Sequence, residues 1–141
     1  VLMATLNDAI LQVAHVVSGI SGIRSAPAYP EEQLNVFPFA ATYPGEGEAS
    51  FGVAGERLNL DTIIVELHVA RKDLPRDVEK ALPYVDSIPN EILDEVHTYW
   101  GRTIDTIESI TWTFGALNWG GQETLGFRFT INGIKRRVNI T

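Results

Sequence analysis

The chain has 141 residues, of which 45% are hydrophobic and 21% charged, with a formal net charge of -7 and no cysteine. That length suits one domain and buries roughly 68–70% of the unfolded surface, so no staple is required. The missing cysteine excludes disulfides, thiolate metal sites and a cysteine nucleophile, and the acidic balance argues against non-specific binding to phosphate backbones.

The first segment reads as a helix. Thr5 and Asp8 stand at capping-box spacing, and Leu6, Ile10, Val13, Val17 and Ile20 recur on one helical face until Gly19 and Gly22. The run RSAPAYPEEQ is a surface connection, rich in proline and charge. NVFPFAATY is strand-like, with Phe37, Phe39, Ala41 and Tyr43 on one face. Pro38 lacks an N–H and places this strand at a sheet edge or on a bulge.

The following PGEGEASFGVAGERLNL holds four glycines and three glutamates (Glu46, Glu48, Glu56). It is an acidic, glycine-rich loop or a long hairpin arm. In DTIIVELHVARKD, Ile63, Val65, Leu67 and Val69 face one way, while Thr62, Glu66 and His68 face the other, as on a strand with a polar outer face. DLPRDVEKALPYVDSIPNEILDEVH is helical but broken at Pro83 and Pro89, which predicts a main helix near 76–87 and a short one near 90–96. The last third is a hairpin. Ile110, Trp112 and Phe114 alternate on one arm, Leu125, Phe127, Phe129 and Ile131 on the other, and Gly120 and Gly121 make the turn. The order α-β-β-α-β-β predicts an α+β fold: a mostly antiparallel sheet of about four strands with two main helices on one face.

Catalytic signatures are missing. GEGEASFG lacks the spacing of a nucleotide-binding turn, no HExxH or Gly-x-Ser-x-Gly occurs, and no Walker lysine is present. His15, His68 and His97 stand apart, and the Asp94–His97 pair, one helical turn apart, is a common surface pattern. Asn139–Thr141 matches a glycosylation acceptor, but nothing else points to secretion. No apolar run approaches the ~20 residues of a membrane span. No catalytic, cofactor or metal site is assigned.

Interaction residues are easier to nominate. Lys135, Arg136 and Arg137 form the one basic cluster, suited to an acidic surface on another copy or to a solvated tail. Trp112 falls on the alternating apolar face and reads as core. Trp119 stands at the turn, where it either packs back on its own chain or anchors a neighbour. In the second case Trp119→Ala weakens assembly and spares the fold.

TIIVELHVAR, LPRDVEKALPYVDSIP (Leu82-Pro83 through Ile88-Pro89) and TIESITWTFGALNWGGQETLGFRFTI, in this order, resemble the tail terminator (tail-completion) proteins of long-tailed bacteriophages and prophages over nearly the whole chain. The resemblance implies a structural virion protein: a homo-oligomer, a hexameric ring, that caps the tail tube, ends its growth and meets the head connector or neck protein. It implies a place at the head-proximal end of the tail, and in the host cytoplasm during assembly. DNA would pass through without specific binding, with Glu46, Glu48 and Glu56 as candidate channel-lining residues and Trp119, Pro38, Lys135, Arg136 and Arg137 as candidate contacts. The family supplies no catalytic residues. Another neck or minor tail protein with the same α+β core, or a small enzyme or ligand-binding module, are the alternatives.

Overall fold

The computed structural model describes residues 5–23, 26, 37–51, 57–71, 78–98, 104–119 and 121–136. Helix α1 (Leu6–Ser18) starts where Thr5 accepts from the Asp8 amide and Asp8 accepts from the Thr5 amide, at 3.1 and 3.3 Å. Two of the donors left open at a helix start are thereby satisfied. Ala9, Ile10, Val13, Ala14 and Val17 form its buried stripe.

Among the described residues five antiparallel strands follow from the remaining patterns: β1 (Phe39–Phe51), β2 (Arg57–Arg71), β3 (Ile104–Thr106), β4 (Ser109–Trp119) and β5 (Gln122–Arg136). The sheet runs β1-β2-β5, and β4 and β3 share the far edge of β5. β4 pairs with β5 from Ser109–Asn132 to Trp119–Gln122, and β3 lies further along, opposite Lys135 and Arg136. The hairpin turn carries Gly121 at φ +82, a value glycine takes without strain, and its amide donates to Asn118 Oδ1 at 3.2 Å. Gly120 lies outside the described residues.

The broken helix resolves differently from the expectation. The piece before Pro83 is one turn, α2 (Val78–Ala81), and the long helix is α3 (Tyr84–Thr98), which runs through Pro89. Pro83 stands where a helix can begin, and its carbonyl accepts from the Asp86 and Ser87 amides at 3.2 and 3.0 Å. Pro89 removes one internal hydrogen bond. Its neighbours Ile88 and Ile92, at 0% and 2% exposure, keep the helix seated on the core.

The core occupies one face of the sheet. Ile63, Val65, Leu67 and Val69 of β2 and Phe127, Phe129 and Ile131 of β5 pack with the α1 stripe and with Ile88 and Ile92 of α3. Trp112, expected in this core, is 48% exposed, as is Phe114. Both rings lean on Phe127, with centroids 5.9 and 5.1 Å away. Among the described residues no helix is long and apolar enough to cross a membrane.

Candidate functional site

Two features stand apart from the core: a buried polar cluster on the opposite sheet face, and the edge formed by β4 together with the arm at the other end of the sheet.

Register builds the cluster. Phe39, His68 and Gly126 lie side by side across β1, β2 and β5, and the next row is Ala41, Glu66 and Arg128. Tyr43 Oη donates to Glu66 Oε2, and Arg128 Nε and Nη2 donate to the same oxygen at 3.2 and 3.0 Å. His68 Nε2 stands 3.1 Å from Glu66 Oε1, off hydrogen-bond alignment, and neither atom makes a hydrogen bond elsewhere. The contact is one of proximity. A proton on Nε2, facing the carboxylate, leaves Nδ1 to accept from the Thr124 hydroxyl at 2.5 Å. Phe39 stacks on the imidazole at 4.5 Å, and Trp119 meets it edge-on at 6.1 Å while tilting over Tyr43 at 6.2 Å.

His68 is 0% exposed, which corrects its reading as a polar outer-face residue. The outer face is dry there because Trp119, at the tip of the β4–β5 hairpin, reaches back over β2 and β1. Gly126 is needed for this closeness: a Cβ there would overlap the Leu67 carbonyl oxygen.

The electrostatics follow. Burial alone would raise the Glu66 pKa, but the close approach of His68 and the hydrogen bonds from Tyr43 and Arg128 outweigh it, and the carboxyl sits below its ordinary value. The Tyr43 phenol is pushed well above its ordinary value, first by burial and then by its bond to Glu66 and that carboxylate's charge. The Arg128 guanidinium is raised, chiefly by its bond to Glu66.

Thr124, His68 and Glu66 have the connectivity of a hydroxyl–imidazole–carboxylate relay. With Thr124 at 1% exposure and His68 at 0%, no substrate reaches the hydroxyl. As built, the group clamps the hairpin to the sheet. Among the described residues no group of three or more histidine, aspartate or glutamate side chains could hold a metal.

The β4 edge is the opposite in character. Ser109–Trp119 carries no ionisable residue, its register with β5 is unbroken, and Thr111, Trp112, Thr113 and Phe114 are all exposed. Within the glycine-rich stretch β1 and β2 stay paired as far as Phe51–Arg57, and this paired end is the arm. The β1–β2 register shifts between Pro44 and Gly47, and Glu46 and Glu48 are exposed. At the base of the arm Arg136 Nε donates to Asp61 Oδ2 at 2.6 Å, with both side chains largely buried.

The nominated residues therefore scatter. Trp119 packs on its own chain. Pro38 precedes β1 instead of lying within it, follows a cis peptide bond, and lines a cavity of about 210 Å³ with Phe37, Val69, Lys80, Ala81 and Tyr84. Lys135 and Arg136 belong to β5, not to a tail, and Arg136 is engaged by Asp61. Arg137 and Glu56 lie outside the described residues, as does the His97 side chain. Sequence reasoning missed the Tyr43–Glu66–His68–Thr124–Arg128 group. Its trace is the polar alternation shared by β2 and β5, and only the curl of the hairpin turns that into burial.

Compared with family models and with curated proteins, the chain has no match.

Proposed function

We propose that this chain is a structural subunit of a bacteriophage tail: a tail terminator whose copies close into a hexameric ring that caps the tail tube, ends its polymerisation and meets the head connector. The observation that carries the assembly role is β4, among the described residues an uncharged edge strand with Trp112 and Phe114 half exposed, on a sheet whose other edge is the glycine-rich β1. Long open edges invite pairing with another chain, and natural monomers blunt them. Two unlike surfaces on one subunit suit the head-to-tail contacts that close rings. The terminator part of the reading comes from the likeness of the closing hairpin and the interrupted helix to that family. The reading gives the buried Thr124–His68 pair a structural role. A net charge of -7 lets DNA pass without adhering.

Light scattering and negative-stain electron microscopy test the assembly, and binding to the ends of purified tail tubes tests the role. A ring of about six copies is expected. A monomer at every concentration overturns the assembly reading, and rings indifferent to tube ends overturn the terminator reading.

A further inference from the structure

We propose that the open edge of β4 takes the arm of a second copy of this chain, with Gly47–Ala49 of one subunit adding as a strand beside Thr111–Phe114 of the next. The inference rests on the assembly reading above and names its joint.

The two edges of the sheet are unlike. Along β1, Phe39–Thr42 are buried, Pro44 lacks a donor, and a bulge follows. Among the described residues β4 has none of the usual protections: it is 11 residues long, unbroken in register, and free of proline and charge. In a chain of net charge -7, a second copy is tolerated best where like charges do not meet. Ser109–Trp119 is such a stretch.

The arm fits this edge on both faces. Gly47 and Ala49 alternate with Glu48, which pairs with Leu60 across the arm. With the small residues on the aromatic side of β4, the half-exposed rings of Trp112 and Phe114 close over backbone that has no bulk to resist them. Glu48 then falls on the Thr113 side. Arg128 is the residue opposite Thr113 on β5, and its side chain is 47% exposed. An added strand lies two spacings from β5, about 10 Å, a gap that glutamate and arginine side chains span over a short threonine. Donor and acceptor sit at opposite edges of the sheet, so the contact is head-to-tail and can close. Glu48 becomes part of the joint instead of the channel wall.

The absence of native cysteine gives a clean test. A chain carrying both Glu48→Cys and Thr113→Cys, mildly oxidised, is expected to give a covalent ladder on non-reducing gels, with each single variant silent. A second measurement does not depend on disulfide geometry. Glu48→Lys is expected to weaken association by about tenfold or more, and adding Thr113→Glu to restore it. A Thr113→Cys chain that dimerises alone would show β4 pairing with β4 and overturn the joint. Rings that form with neither the ladder nor the Glu48→Lys effect overturn the joint and leave the assembly reading standing. Monomers throughout remove both.

Discussion

Glu66 Oε1 faces His68 Nε2 at 3.1 Å on a sheet face where His68 has no exposure and the Glu66 side chain only 4%. The second carboxylate oxygen takes donors from Tyr43 on β1 and Arg128 on β5, so one buried charge ties three strands together. Deleting the carboxylate strands the buried His68 ring and the part-buried Tyr43 hydroxyl without their partner, while Arg128, 47% exposed, can turn to solvent. Glu66→Leu is expected to destabilise the fold by about 2 kcal/mol, the cost of leaving buried polar groups unmatched. Urea denaturation followed by circular dichroism reads this directly. A loss below about 1 kcal/mol would show the charge to be solvated in solution.

The same carboxylate gives an acid limb to stability. Its folded pKa lies below the ordinary value of 4.5, so the unfolded chain takes up the proton first as pH falls. The contribution is fully present above about pH 4.5 and is lost as pH drops through the depressed folded value. Tyr43 gives the mirror image. Its folded pKa is raised, so its contribution is present below its ordinary value of 10 and declines above it. A stability profile by urea midpoint should slope at both ends. Glu66→Gln should flatten the acid end and Tyr43→Phe the alkaline end. Unchanged slopes in both variants would assign the pH dependence to other groups.

Local pattern made much of this fold legible. The Thr5–Asp8 box, the Ile63–Val69 alternation and the facing runs of β4 and β5 each carry their own period, and each forms a helix or strand. Period alone separates two faces of a strand; it does not say which faces are wet. His68 and Glu66 are dry because a distant hairpin tip folds over them, and Trp112 is half exposed on the edge strand β4. Both outcomes depend on tertiary reach that no window of sequence contains. The prolines misled for a related reason. Pro83 and Pro89 look equivalent in sequence, yet one sits where a helix can start and the other is held inside α3 by Ile88 and Ile92.

Gly126 faces His68 across the β2–β5 ladder, in contact with the Leu67 backbone. A methyl group there cannot be absorbed by a side-chain rotation, because its neighbour is main chain. Gly126→Ala is expected to separate β2 from β5 locally and cost about 3 kcal/mol or more, read as a loss of melting temperature. Gly115, which pairs with Gly126 and has open space at its Cβ, is the control. Gly115→Ala should leave the melting temperature nearly unchanged. Equal effects from the two would rule out the steric account.

The two tryptophans at opposite ends of β4 should separate folding from association. Trp119 covers His68 and Tyr43, so Trp119→Ala is expected to lower subunit stability by about 2 kcal/mol, less than a fully buried tryptophan would cost. Trp112 touches Phe127 but is half in solvent, so Trp112→Ser should move stability by about 1 kcal/mol or less. If β4 is a joint between copies, Trp112→Ser should also weaken association by about 2 kcal/mol, as loss of an anchoring aromatic does. Denaturation at subunit concentrations too low for assembly gives the first pair of numbers, and sedimentation across a concentration series gives the last. Trp119→Ala that assembles poorly yet folds with full stability would reverse the assignment, placing the anchor at the hairpin turn and not along the β4 edge.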